Sequence, residues 1–305
     1  MLFSILIANY NNGSFFKDCY ASIMNQSYQD FEVIIVDDAS TDDSVAVIEE
    51  LVANDSRFKL YFNDHNQGCG YTKRRCASLA TGEVCAFVDP DDAIEVTALE
   101  KMVTAFKLHP MVSLVSSKYY LTDLFLNKTG EGTHGEALPN GTSYLTYGKG
   151  AITHFCSFRR SSYLKTSGID SKFKRAVDQD LYYKLEETGA HLFLNDFLYY
   201  YRINSNSISA NTNLFKAEYW QIVAKEDAFA RRLKNNTVAT NDYHDFMMFK
   251  RRYYIQRMKR CVDNKSYLNK YFHYFGLFFF DLKRGNLLLD YQFKIKSFFL
   301  LNFPS

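Results

Sequence analysis

The chain has 305 residues, 47% of them hydrophobic and 23% charged, a globular composition that excludes an intrinsically disordered polymer. Its formal net charge of +2, from 36 Lys and Arg against 34 Asp and Glu, excludes a uniformly basic coat for nucleic acid. The charge is unevenly placed: from Leu214 onward 17 basic residues face 8 acidic ones, and 22 of those last 92 residues are aromatic.

That divide predicts two regions, residues 1–213 and a helical, basic and aromatic-rich extension over 214–305. No uncharged apolar run reaches the ~18 residues of a membrane span. Met1 to Ala8 runs straight into polar Asn9-Tyr10-Asn11-Asn12, without the basic and apolar regions of a leader. Cys19, Cys69, Cys76, Cys85, Cys156 and Cys261 lack metal or redox spacing and read as reduced core thiols. The expected location is cytoplasmic, either free or peripheral at the inner face of the membrane.

Phe3 to Ala8 is an apolar run of buried-strand length. Ser14 to Gln26 follows with helical spacing, Phe15, Cys19 and Ile23 falling on one face. Glu32 to Val36 is a β-branched run that stops at Asp37-Asp38. Ser40 to Asp43 supplies helix-start chemistry ahead of Val45, Ile48 and Leu51. Phe58 to Phe62 reads as a third strand, and Lys73 to Ala80 as a helix ended by Gly82. Val84 to Val88 is a fourth strand, closing in Asp89-Pro90-Asp91-Asp92. Strand and helix alternating at this pace predict an α/β fold with a mostly parallel sheet flanked by helices. Farther on, Leu114 to Leu121 suits a strand, 127–150 a loop, Asp178 to Leu185 a helix, and Phe193 to Tyr201 a strand. Three helices, Leu214 to Lys234, Tyr243 to Val262 and Tyr267 to Lys283, are expected in the extension.

Open parallel sheets bind ligands beyond the carboxyl ends of their strands. Here those ends carry Asn9-Tyr10-Asn11, Asp37-Asp38 and Asp89-Pro90-Asp91-Asp92. Two acidic clusters on one edge repel each other unless a cation sits between them, so a bound metal is the economical expectation. Common nucleotide signatures fail: Gly68-Cys69-Gly70 is followed by Lys73 where a dinucleotide fingerprint needs glycine, and Ser143 stands where a P-loop ahead of Gly148-Lys149 needs one. Nucleophile-elbow and zinc-protease motifs are absent.

What the sequence does carry resembles the family 2 glycosyltransferases, enzymes of the GT-A fold. The resemblance runs through Ser4-Ile5-Leu6-Ile7-Ala8-Asn9-Tyr10-Asn11, then Gln26 to Asp42 with Val36-Asp37-Asp38-Ala39-Ser40 at its centre. It continues through Asn66-Gln67-Gly68, Ala80-Thr81-Gly82-Glu83 and Phe87-Val88-Asp89-Pro90-Asp91-Asp92. Phe173 to Leu181, with Asp178, is similar to the family's acidic catalytic motif, and Tyr201-Arg202 through Ser207-Ile208-Ser209 to its closing segment. The resemblance covers about residues 1–210.

It implies a nucleotide-diphospho-sugar donor, with Ala8 and Tyr10 walling the base and Asp38 accepting the imide N–H of uracil, hence UDP. Lys73, where relatives commonly carry arginine, would face the nucleotide or its phosphates, Asp89 the ribose hydroxyls, and Asp91 a Mn2+ or Mg2+ ion with Asp92 close behind. Asp178 would be the general base of an inverting displacement. Asp180, about 200° farther round a helix, would have another role. Departures from the pattern are Ala8 for proline, Val177 for glutamate and Asn204 for histidine. The implied acceptor is a saccharide or lipid-linked saccharide, in surface polysaccharide synthesis. The competing expectation is a non-catalytic scaffold that binds nucleotide-sugar or membrane.

In the extension, Lys250 to Tyr254, Arg257, Lys259-Arg260 and Tyr271 to Phe280 join positive charge to aromatic bulk. Such helices suit either peripheral membrane contact or packing on this chain or a second copy as a homodimer. Nucleic acid is not an expected partner.

Overall fold

The computed structural model describes residues 1–147, 150–204, 214–237 and 267–282, with positions 248, 251, 254 and 255 besides. It comprises two compact units, Met1–Arg231 and Arg232–Ser305.

The first unit opens with β1 (Phe3–Asn9), α1 (Gly13–Met24), β2 (Phe31–Asp37), α2 (Ser44–Val52), β3 (Phe58–Phe62), α3 (Cys69–Leu79) and β4 (Val84–Phe87). β1 pairs in parallel with β2 on one side and β4 on the other, and β2 pairs in parallel with β3. Both β1 and β2 are buried nearly throughout, as central strands covered on two faces must be. Phe16, Cys19 and Ile23 are the buried side chains of α1's apolar stripe. Phe15, expected in that stripe, instead lies under the Arg202 guanidinium, 4.8 Å from its ring centre.

Beyond β4 come β5 (Ala93–Ile94), α4 (Ala98–Leu108), β6 (Val112–Thr122), β7 (Lys128–Glu131), α5 (Tyr144–Tyr147), β8 (Ser157–Arg159), α6 (Arg160–Tyr163), α7 (Val177–Glu186), β9 (Ala190–Arg202) and α8 (Leu214–Lys234). The strand order is β3-β2-β1-β4-β8-β6-β9-β5, with β7 on β6. β6 and β9 run parallel, whereas β8 is antiparallel to both β4 and β6, and β5 to β9. The sheet is therefore parallel through the first half and mixed beyond it. Within 127–150, expected to be loop, β7 and α5 are two four-residue elements on either side of irregular chain over 132–143.

In the second unit α9 (Tyr267–Leu282) is described, and Arg251 pairs with the buried Asp281 at 3.0 Å. The expected helix over Tyr243 to Val262 lies outside the described residues except for a few positions. Among the described residues, no helix is long and apolar enough to cross a membrane.

Candidate active site

The ends of β1 and β2 are locked together before any ligand is considered. Asn9 donates to Asp37 Oδ2 at 2.7 Å, and Ser40 donates to the same carboxylate through its backbone N–H and its hydroxyl. Asn11 and Ala39 sit at φ 55° and 59°, the left-handed region that costs a side-chain-bearing residue about 1 kcal/mol or more. Tyr10 is left 42% exposed beside partly buried Ala8, so its ring face is available for stacking. Asp38 is buried, and its carboxylate accepts Asn63 Nδ2 at 2.6 Å and the Gln67 and Gly68 N–H groups at 2.8 Å. It shapes the turn into α3, where Gly68 adopts φ 86°. Two of these donors go to Oδ1 and one to Oδ2, which leaves one acceptor position of the Asp38 carboxylate open on Oδ2.

Three residues far apart in sequence meet at one ion cluster. Lys73, buried on α3, lies 3.0 Å from Asp178 Oδ1 and 3.3 Å from Asp89 Oδ1. Both carboxylates are almost half exposed, at 44% and 43%, so each still opens to solvent. Burial works against the Lys73 ammonium, but Asp178 and Asp89 outweigh it and hold its pKa well above the lysine range. Asp178 reaches this place because α7 starts from Ala176 in the left-handed conformation, φ 54°. The helix also turns Asp180 away, as the 200° separation predicts. Asp180 is buried, 2.5 Å from Lys184 Nζ, which also donates to the Gly168 carbonyl at 2.8 Å.

The Asp89–Asp92 turn divides its carboxylates. Asp92 is buried, accepting the Tyr199 hydroxyl at 2.7 Å and the Arg202 N–H at 2.8 Å. It fastens β9 to the turn rather than facing the cleft beside Asp91. Burial, then Asp91 and Asp89, push its pKa far up. Arg202 completes the fastening with bonds to the Asp91 and Leu124 carbonyls and an ion pair with Asp18 at 2.8 Å. Asp91 itself is pushed up to about 6, first by burial and next by the charge of Asp89. No side chain donates a hydrogen bond to it among the described residues. A hard divalent cation fits such a carboxylate, since it removes the repulsion and takes oxygen ligands. Among the described residues no group of three or more His, Cys, Asp or Glu could hold a metal by itself. A cation at Asp91 would therefore take most of its oxygen ligands from groups other than these side chains.

Sequence reasoning passed over three side chains near this cluster. Tyr199 accepts the Asp89 N–H at 3.2 Å while donating to Asp92. His154 stacks on Tyr201 with ring centres 4.2 Å apart, and lies parallel to Tyr199. Tyr182 is buried four residues beyond Asp178, one turn along the same face of α7. The (i, i+4) spacing of Tyr182 was the available signal; His154 carried none. Ser207 to Ser209 of the expected closing segment lie outside the described residues.

A doubly wound parallel half, an Asp-x-Asp turn past β4 and a helix-borne carboxylate joined to it through Lys73 define an α/β fold with an acidic edge beyond its parallel strands. The profile of Glycosyl transferase family 2 matches residues 4–167, and the chain belongs to that family. Chondroitin synthase from Escherichia coli is 29% identical over 204 residues, which is 65% of this chain and 28% of that protein. The chain thus spans little more than a quarter of that relative's length. Staphylococcus aureus TarS 1–349 in complex with UDP-GlcNAc superposes with a TM-score of 0.63 at 17% identity, covering 93% of this chain and 92% of that one. The mannosyltransferase PcManGT from Pyrobaculum calidifontis, in complex with GDP-Man and Mn2+, gives 0.52 at 14% identity, covering 78% and 76%. The fold is GT-A.

Proposed function

We propose that this chain transfers a sugar from a UDP-sugar to a hydroxyl of a saccharide or lipid-linked saccharide, with inversion, in polysaccharide synthesis. The observation that carries this reading is the Asp89–Lys73–Asp178 cluster, which joins residues of the nucleotide side and the candidate base through one buried ammonium. The UDP-GlcNAc complex of TarS and the chondroitin synthase relative support the donor class and the kind of product.

Ala8 and Tyr10 bound the base, and the loop organised by Asp38 presents the Gln67–Gly68 backbone beside it. Asp89 accepts from the ribose hydroxyls. Asp91 would hold Mn2+ or Mg2+, which when bound supplies Lewis-acid stabilisation of the departing diphosphate. Lys73 fixes Asp178 relative to Asp89, so an acceptor hydroxyl reaching Asp178 meets a carboxylate already aligned with the donor site. Asp178 takes the hydroxyl proton as the acceptor oxygen attacks the anomeric carbon from the face opposite the diphosphate. One displacement with one base inverts that carbon.

The second unit suits a lipid-linked acceptor. Phe275, Phe278, Phe279 and Leu282 are exposed at helical spacing on α9, opposite buried Leu277 and Asp281. Such a face fits contact with an anionic membrane surface; a second copy of the chain is the competing occupant.

Thermal unfolding with UDP, GDP, CDP and dTDP, each with and without Mn2+, tests the donor site. A ligand at 100 times its Kd adds about 2.7 kcal/mol. The expected result is a shift with UDP that needs the metal and is lost in Asp91→Ala. Asp178→Asn is expected to keep the UDP shift while losing transfer by at least about a hundredfold. No shift with any nucleotide refutes the donor site, whereas UDP binding with Asp178→Asn fully active refutes the base.

A further inference from the structure

His154 and Tyr182 are polar side chains beside the ion cluster that no step above uses. The His154 ring is held in place by three aromatic neighbours. It stacks on Tyr201 at 4.2 Å and 21°, lies parallel to Tyr199 at 5.9 Å and 5°, and meets the edge of Tyr119 at 4.7 Å and 76°. Tyr199 is the residue whose hydroxyl bridges the Asp89 N–H and the Asp92 carboxylate, so the imidazole is linked to the Asp-x-Asp turn through one intervening ring. Among the described residues no hydrogen bond is formed by either ring nitrogen of His154 or by the Tyr182 hydroxyl, and none of these belongs to the fully buried polar atoms left without a partner, so both side chains keep contact with solvent. Both side chains lie within the field of Asp89 and Asp178.

Polar groups that meet only solvent beside a reaction centre are free to exchange that water for a ligand's hydrogen bonds. We propose that the imidazole of His154 and the phenol of Tyr182 line the pocket for the transferred sugar, and that this sugar is uncharged. The proposal rests on the donor-site reading above and adds to it the residues that read the sugar.

Chemistry selects the ligand class. Burial depresses the His154 pKa, so the ring is neutral near pH 7 and offers one N–H and one acceptor nitrogen. A phenol likewise donates and accepts. Such groups match sugar hydroxyls or an acetamido group, each able to give and receive a hydrogen bond. A uronate fits badly. Its carboxylate would stand beside Asp89 and Asp178, whose shared cation, Lys73, already serves both. The stacked rings keep the imidazole from turning, so recognition loses little rotamer entropy on binding.

The test is isothermal titration of the full chain with UDP, UDP-glucose, UDP-N-acetylglucosamine, UDP-galactose, UDP-N-acetylgalactosamine and UDP-glucuronate, all with Mn2+. His154→Phe keeps the stacked ring and deletes both nitrogens; Tyr182→Phe keeps the ring and deletes the hydroxyl. The wild type is expected to bind one uncharged UDP-sugar more tightly than UDP, and UDP-glucuronate no more tightly than UDP. His154→Phe should weaken the preferred UDP-sugar about tenfold and Tyr182→Phe about fivefold, each leaving UDP within about twofold. Equal loss of UDP and UDP-sugar, no loss of either, or a preference for UDP-glucuronate overturns the proposal. Failure of the wild type to bind UDP or any UDP-sugar sinks the donor-site reading and this proposal with it, an outcome separate from the other three.

Discussion

Glu32 is buried in β2 and gathers more of the parallel sheet than any residue of the cleft. Its Oε1 accepts the Ser4 hydroxyl at 2.7 Å, the Thr81 N–H at 2.6 Å, the Thr81 hydroxyl at 2.8 Å and the Gly82 N–H at 3.2 Å. Its Oε2 takes Lys59 Nζ at 2.8 Å. Burial alone would raise this carboxyl; Lys59, Ser4 and Thr81 outweigh burial and lower it from 4.5 to about 2. Each pH unit of difference is worth about 1.4 kcal/mol, so the ionised, bonded carboxylate contributes about 3 kcal/mol. Lys59 is 43% exposed and its share is screened, which leaves the buried donors as the larger part. The folded carboxyl binds its proton later than the unfolded one as pH falls. The contribution is therefore complete above about pH 4.5 and disappears between there and about pH 2. Glu32→Gln should lower the unfolding midpoint by about 4–6 °C at pH 7, and the gap between variant and wild type should close as the pH approaches 2. Calorimetry or circular dichroism melts across pH 2–7 measure both. A gap that keeps its size from pH 7 to pH 2 refutes the charge as its cause and assigns the loss to packing.

Lys73→Met leaves Asp89 and Asp178 facing each other without their cation, and it should reduce kcat by at least about tenfold, with Lys73→Arg recovering part of the loss; an unchanged kcat would dismiss the ion cluster as a positioning device. Gly82→Ala should cost more than about 2 kcal/mol in chemical denaturation, because a Cβ there would lie 2.6 Å from Ser4 Oγ and 2.7 Å from the Leu2 carbonyl; a neutral variant would mean the β1–β4 edge yields easily. Ala176→Gly should leave stability unchanged or raise it by up to about 1 kcal/mol, since glycine relieves φ 54° at the start of α7, and a clear loss in denaturant melts would contradict that account of the turn.

The sequence made the parallel half legible because β1, β2 and α1 carry period and burial together: an apolar run, then a helical stripe, then another apolar run. α4 was legible in principle, its buried Leu99, Met102, Val103 and Phe106 keeping helical spacing. β5 and β8 are two and three residues long, too short for any period, and pairing with β9, β4 and β6 alone makes them strands. Lys73, Asp89 and Asp178 could each be picked out by motif, yet their contact spans 105 residues of chain and is a product of topology. Asp91 and Asp92 are chemically identical neighbours. Only the position of Tyr199 and Arg202 on β9 decides that one is a buried fastener and the other a carboxylate without a side-chain donor. His154 has no signal of its own, because its setting is made by Tyr119, Tyr199 and Tyr201 from two other strands.

This division of labour explains why the fastenings are where they are. The cleft concentrates unfavourable features: left-handed Asn11, Ala39 and Ala176, and an Asp91 whose carboxyl is raised by burial and by Asp89. None of these favours folding by itself. Stability must then come from outside the cleft. Glu32 gathers β1, β2, β3 and the α3–β4 turn on the side away from the strands' carboxyl ends. Arg202 binds the Asp91 and Leu124 carbonyls and Asp18, anchoring the end of β9 over the turn. Substitutions at these anchors should act mainly on folding, and substitutions at Asp91, Asp178 or His154 mainly on ligand and turnover. The two sets separate in space because a carboxylate already satisfied by protein donors, as Glu32 is, has no capacity left for a substrate.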